Sequence, residues 1–310
     1  MILGIDTSNY TTSLSLYDPN GGVVFNGKKL LSVPEGQKGL RQSDAVFHHV
    51  QQLPELFEKS PVGDVPVEAI GVSVRPRDAE DSYMPCFTVG SAFASALGKT
   101  LKCEVYPFSH QAGHIAAALY SAGRMDLIRE KFLAFHFSGG TTELVLCEPD
   151  EETVFRVQMV SHSLDLKAGQ IVDRVGLMLG LSFPAGPALD DLACQSKREF
   201  RIHPTFRGVD PCLSGVENQC RTMLDQGEAP CDVAAYAIRY LCAVVDRMIV
   251  DAKAAYGDLP VICAGGVMGN RMISDAISRK HGACFAQPAL SSDNAVGVAL
   301  LAAYRRNRSV

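Results

Sequence analysis

From Leu3 to Leu16 the chain reads as an apolar strand, a turn of small and hydroxyl residues, and a second strand in which Thr, Ser and Leu alternate. The same pattern returns without gaps from Leu133 to Leu146. Leu3/Leu133, Ser8/Ser138, Thr11/Thr141, Thr12/Thr142, Leu14/Leu144 and Leu16/Leu146 coincide. A third strand follows each copy, Val23-Val24-Phe25 after the Asn20-Gly21-Gly22 turn and Val154-Phe155-Arg156-Val157 after the acidic turn near Asp150. An offset of 130 residues is too long for a solenoid repeat and reads as a duplicated domain.

Beyond each meander the pattern turns to alternating helices and strands, the mark of an α/β layer. In the first half, Asp44 to Lys59 is predicted helical, with Val46, Phe47, Val50, Leu53 and Phe57 at helical spacing. Ala69 to Val74 is a predicted strand, Thr88 to Leu97 a helix, and Glu104 to Pro107 a strand running into His110. In the second half, helices are predicted over Gly169 to Leu179, Val233 to Tyr256, Asn270 to Ile277 and Asn294 to Tyr304, with a strand at Val261 to Ala264. A charged link at 124–131 divides the chain into lobes 1–125 and 126–310. Two like lobes that open on small-residue turns match the actin-like, sugar-kinase and heat-shock-chaperone type of α/β fold, with nucleotide expected in a central cleft. That is an analogy of fold and implies no reaction by itself.

Composition narrows the setting. The 310 residues are 47% hydrophobic, enough for a substantial core, and carry 29 Lys and Arg against 34 Asp and Glu, a net charge of −5. That balance argues against a chain that wraps nucleic acid unaided. The basic residues Arg305, Arg306 and Arg308 read as a solvated helix end. No secretion signal opens the chain and no apolar run approaches the ~18–20 residues that span a bilayer, so a cytoplasmic protein with no membrane contact is expected. The ten cysteines are scattered without a C-x-x-C pair and read as reduced, mostly small core residues.

Several constellations carry chemistry. Ser138-Gly139-Gly140-Thr141-Thr142 lies at the second meander's turn and is either a plain hairpin turn or a backbone cradle for phosphate. Cys263-Ala264-Gly265-Gly266-Val267 stands between a strand and the Asn270 helix, where a helix N-terminus can meet an anion. His110 and His114 share a face if their helix begins at His110, and such a pair favours a metal. The metalloprotease form needs Glu after the first His; Gln111 disfavours proteolysis. Asp293 is a candidate third ligand or an ordinary N-cap, and His136 ends the strand feeding the Ser138 turn. Asp173 and Asp190 flank the Phe183-to-Pro187 breaker cluster and are either ribose acceptors or solvated helix residues. His48 and His49 read as surface residues.

With these residues in place the chain resembles, over nearly its whole length, the tRNA threonylcarbamoyladenosine synthase family, whose older name is O-sialoglycoprotein endopeptidase or glycoprotease. Leu3-Gly4-Ile5-Asp6-Thr7-Ser8, His110-x-x-Gly113-His114, Ser138 to Thr142, Ala168-Gly169 through Asp173, Pro184 to Pro187, Ala264 to Val267 with Asn270-Arg271, and Asp293-Asn294 carry the likeness. The resemblance implies one divalent metal ion, iron or zinc, held by His110, His114 and Asp293, with His136 an additional ligand. It implies a threonylcarbamoyl adenylate or adenine nucleotide bound through Phe137, Ser138, Gly139, Gly140, Asp173, Gly186, Asp190, Gly265, Gly266 and Asn270. It further implies threonylcarbamoyl transfer to an adenosine of tRNA with release of AMP, and other subunits of a tRNA-modification complex as partners.

The chain departs from that family at defined points. Asn9-Tyr10-Thr11-Thr12 stands where the family has an acidic pair, Ala112 replaces a Glu inside the histidine motif, and Arg75 to Pro85 replaces a short Gly-Pro-Gly loop. Lys167 adds a cation near the nucleotide motif. These changes describe a divergent paralogue with its metal and nucleotide residues kept. The alternative is a catalytically altered paralogue that binds nucleotide and serves as a partner-binding or assembly subunit.

Overall fold

The computed structural model describes residues 1–8, 10–32, 40–79, 81–287, 290 and 295–308. Asn9, Glu80 and the Ser291-to-Asn294 stretch, with the candidate ligand Asp293, lie outside the described residues. Two compact units emerge: 1–129 with 148–157 and 292–310, and 130–147 with 158–291.

The first unit is built on β1 (Ile2–Ser8), β2 (Thr11–Asp18) and β3 (Gly22–Leu30), then α1 (Gln42–Lys59), β4 (Ala69–Arg75), α2 (Phe87–Leu101), β5 (Glu104–Ser109) and α3 (His110–Ser121). Its sheet runs β3-β2-β1-β4-β5, an antiparallel meander continued by two strands parallel to β1. The next elements are β6 (Phe132–Phe137), β7 (Thr142–Asp150), β8 (Val154–His162), α4 (Ala168–Met178), α5 (Gly186–Ala193), the short β9 (Phe206–Arg207) and β10 (Asp210–Pro211), and α6 (Ser214–Asp225). They are followed by α7 (Pro230–Tyr256), β11 (Val261–Ala264), α8 (Arg271–His281), β12 (Cys284–Phe285) and α9 (Val296–Arg308). The second sheet runs β8-β7-β6-β11-β12.

The duplication extends to the register. Ile5 faces Leu14 and Phe135 faces Leu144; Thr7 faces Thr12 and Phe137 faces Thr142, each pair displaced by the same 130 residues. Strand β11 is parallel to β6 as β4 is to β1. β1 is buried on both faces, which explains the unbroken apolar run Ile2–Ile5 that opens it.

Helix α9 returns to the first unit and packs on β1, β4 and α3. It crosses α3 backbone to backbone: a Cβ on Gly297 would lie 1.7 Å from the Gly113 carbonyl oxygen, so glycine is required there. Arg305 lies over the Tyr106 ring and Arg306 pairs with Glu68.

Helix α1 corrects the periodicity reading. Phe47 and Val50 are exposed, and the inward face is Ala45, His49, Gln52, Leu53 and Leu56. His49, read as a surface residue, is fully buried: its Nδ1 lies 2.8 Å from Thr12 Oγ1, which donates to Gln52 Oε1 at 2.8 Å, while Gln52 Nε2 donates to the Leu30 carbonyl. Polar residues are inside here because β2 and the end of β3 present polar groups to them. All ten cysteines are free thiols; four are buried, five half-buried, and Cys194 is exposed.

Candidate functional site

In the second unit, the ends of β6 and β11 and the starts of α4, α5 and α8 surround a cavity of about 690 Å³. Its lining includes Ser138, Gly139, Asp173, Gly186, Asp190, Gly266 and Asn270 from the expected set, together with Gly169, Asp191 and Arg271. The Ser138 turn is closed by Ser138 N–H donating to the Thr141 carbonyl at 2.7 Å and by Thr141 N–H donating to Ser138 Oγ at 3.1 Å. Gly139 and Gly140 are left exposed. Gly169, opening α4, donates to the Ser138 carbonyl at 3.1 Å, and a Cβ there would come within 2.6 Å of the Gly139 nitrogen. The strand-end helix therefore sets the turn by direct backbone contact.

The facing wall is the β11–α8 junction. Gly265 has φ +97°, and a Cβ on it would strike the Phe137 carbonyl oxygen. Val267 N–H donates to that same carbonyl at 3.2 Å. Phe137 is fully buried, so it and Gly265 shape the wall from behind it. Asn270 caps α8, its side-chain oxygen accepting from Ile273 N–H at 3.2 Å.

The two aspartates already have protein partners. Asp190, buried, accepts from Asn270 Nδ2 at 2.9 Å and from Arg271 Nε at 2.8 Å; Asp173 accepts from Ala185 N–H at 2.9 Å and pins the loop that enters α5. Arg271 also pairs with Asp191, and these two carboxylates hold its guanidinium more firmly protonated than an ordinary arginine. Lys167 does not line the cavity; its ammonium donates to the Ser163 carbonyl at 3.0 Å. Arg271 has a visible sequence signal, its place after Asn270, but its role as the lock on Asp190 needs α5 and α8 brought together.

In the first unit, α3 begins at His110 because Ser109 Oγ accepts from Ala112 N–H at 3.1 Å and caps it. The early start puts His110 and His114 on one face, their Nε2 atoms 2.9 Å apart. His110 Nδ1 lies 2.8 Å from Asp6 Oδ2, and Ser73 Oγ donates to Asp6 Oδ1. Asp6, nearly fully buried at the core of β1, is a site residue that the strand pattern alone did not single out. Two imidazole nitrogens at this separation, one ring backed by a carboxylate, are a donor set that fits a metal such as iron or zinc. Among the described residues no cluster of three or more His, Cys, Asp or Glu side chains is formed, and Asp293 is outside them. His136, half-buried on β6, sits in register with Glu143 and Ala264 in the second unit.

A sequence profile described as TsaD, tRNA N6-adenosine threonylcarbamoyltransferase, matches residues 67–300. The chain belongs to this threonylcarbamoyltransferase family. Among its curated relatives, a tRNA N6-adenosine threonylcarbamoyltransferase of Methanopyrus kandleri is 26% identical over 96% of this chain and 85% of its own length. Such identity across the whole length fits a divergent member of an acyltransferase-type family. Among solved structures, component A of the (R)-2-hydroxyglutaryl-CoA dehydratase of Acidaminococcus fermentans covers all of this chain and 99% of its own, with a TM-score of 0.56 and 16% identity. A ROK family glucokinase from Streptomyces griseus covers 98% and 99%, with a TM-score of 0.54 and 13% identity. At such identities the likeness is one of fold, the actin-like sugar-kinase type.

Proposed function

We propose that the chain transfers a threonylcarbamoyl or related carbamoyl group from an adenylate to the exocyclic amine of an adenosine in tRNA, releasing AMP. The observation that carries this reading is the second-unit cavity, where a glycine turn and a capped helix N-terminus face one another with room for a nucleotide. In this reading the Ser138–Gly139 turn and the α8 N-terminus hold the adenylate phosphate, and their fixed N–H dipoles stabilise charge as it leaves on AMP. Asp173 and Asp190 keep the two walls in place, their remaining acceptor capacity facing the ribose.

His110 and His114 would hold a divalent ion, iron or zinc, whose chemistry is to polarise the carbamoyl carbonyl. The amine nitrogen bonds to the carbamoyl carbon, the carbon–oxygen bond to phosphate breaks with its electron pair leaving on AMP, and the amine proton passes to water. Water is assigned that part because residues 9–12 contain no carboxylate. The test is incubation of the purified chain with threonylcarbamoyl-AMP and tRNA, followed by mass spectrometry of the nucleosides. Modified adenosine supports transfer; its absence with several tRNAs, together with intact donor, overturns it.

One observation favours a second reading, a nucleotide-binding assembly subunit. At the position of the family's acidic pair, Tyr10 is exposed while Thr11 and Thr12 are buried, with Thr12 committed to His49 and Gln52. Tight nucleotide binding and capture of a defined partner without turnover would establish it. The wider partners expected, tRNA and other subunits of a modification complex in the cytoplasm, belong to this proposal too.

A further inference from the structure

Asp6 makes two side-chain contacts beyond the backbone ladder of β1. It lies in the middle of a strand whose neighbours Ile5 and Thr7 are fully buried, and it is itself only 1% exposed. A buried carboxylate needs partners, and here both oxygens are used: Oδ1 accepts from Ser73 on β4, and Oδ2 faces His110 Nδ1 on α3 at 2.8 Å. Ser73 is fully buried and Ser109, the cap of α3, is 1% exposed. The strand, the neighbouring strand and the helix start therefore converge on one imidazole.

We infer that Asp6 is a positioning residue that acts through His110. A carboxylate accepts and cannot donate, so it selects the His110 tautomer with hydrogen on Nδ1 and leaves a lone pair on Nε2. That lone pair faces His114 Nε2 at 2.9 Å, a separation that requires either a proton or a cation between the two nitrogens. Without a metal, His114 Nε2–H fills that place by donating to His110. A zinc ion held by the two Nε2 atoms would take the place of this hydrogen bond, so that His114 would change tautomer while His110 would not. Ser73 holds the other oxygen of the same carboxylate, which restrains Asp6 from rotating off Nδ1. The inference rests on the metal reading above for its affinity arm only; the tautomer of His110 is a property of the metal-free chain.

Two measurements decide it. Long-range 1H–15N correlation of the histidine side chains in the metal-free chain is expected to show His110 protonated at Nδ1 and bare at Nε2; protonation at Nε2 overturns the assignment. Competition of Zn2+ against a chelator is expected to show a 10- to 100-fold loss of affinity in Asp6→Asn, whose amide can donate to Nδ1 and reverse the tautomer, and a smaller loss in Ser73→Ala. Unchanged zinc affinity in a folded Asp6→Asn chain overturns the positioning role. If Asp6→Asn does not fold, Ser73→Ala carries the affinity test, and unchanged affinity there counts against the role in the same way. If the unaltered chain binds no zinc, the metal reading fails, and the His110 tautomer alone confirms or refutes the grip of Asp6.

Discussion

Asn270 joins the two walls of the second-unit cavity by a single buried hydrogen bond, its Nδ2 donating to Asp190 Oδ1 at 2.9 Å while its own oxygen caps α8. One amide thus satisfies a carboxylate on α5 and a helix end at once. Replacement by Ala removes the cap, worth about 1 kcal/mol, and strips one donor from a buried carboxylate, costing about 1–3 kcal/mol. Asn270→Ala is expected to lower the urea midpoint and to weaken AMP binding more than tenfold. An unchanged AMP affinity by calorimetry would separate Asn270 from ligand binding.

The backbone contact at Gly169 makes a sharper test of the Ser138 turn. Gly169→Ala forces a methyl to within 2.6 Å of the Gly139 nitrogen, and neither side is a flexible side chain. A loss of about 1–3 kcal/mol is expected from overpacking, with displacement of the turn and at least a tenfold loss of nucleotide affinity. Gly215→Ala on α6, where a Cβ has open space, is the control, and equal effects of the two changes would refute the contact argument.

His49 makes stability depend on pH. Burial pushes its pKa from 6.5 down to about 4, against the opposing pull of Asp6. Between those values the unfolded chain binds a proton that the folded chain refuses, so stability is full above about pH 6.5 and falls as pH drops toward 4. Two and a half pH units correspond to a loss of up to about 3 kcal/mol. Urea titrations at pH 7 and pH 4.5 should show the decline for the native chain and a shallower one for His49→Gln. Parallel slopes in the two proteins would assign the effect to other groups.

The cysteines predict a graded thiol titration. Cys194 is exposed, whereas burial raises the Cys220 thiol to about 12 and the Cys86 and Cys242 thiols to about 11. A chromogenic disulfide reagent is expected to find one rapidly reacting thiol in the native chain, abolished in Cys194→Ser, with the buried thiols reacting only on unfolding. Rapid reaction persisting in that variant would show that another thiol is open.

Much of the fold is legible in the sequence because local patterns and tertiary packing agree along β1–β3 and β6–β8. The 130-residue echo survives as matching registers, and the strand at Val261–Ala264 and the helix after Asn270 fall where periodicity places them. Helix α1 forms where its spacing predicts, but its inward face differs because apolarity is a poor guide where the core itself is polar: His49 and Gln52 face inward to serve Thr12 and Leu30, and Phe47 is left outside. Asp6 is hidden in the sequence for a related reason. An acidic residue within an apolar strand has meaning only through what lies across from it, and Ser73 and His110 are 67 and 104 residues away. The partners of Asp190 are as distant in sequence, so the pattern leaves its carboxylate open between ribose acceptor and solvated helix residue and does not reveal the Asn270 and Arg271 bonds that hold it.

Helix α9 closes against β1, β4 and α3, yet it is synthesised after every residue of the second unit. During translation β1 therefore waits, the glycine seam at Gly113 of α3 open and one face of its sheet uncovered, until α9 arrives. The nascent N-terminal half is for that interval an incomplete folding unit with apolar surface exposed, the condition under which chaperone capture competes with aggregation. A truncation before residue 295 would make that temporary state permanent.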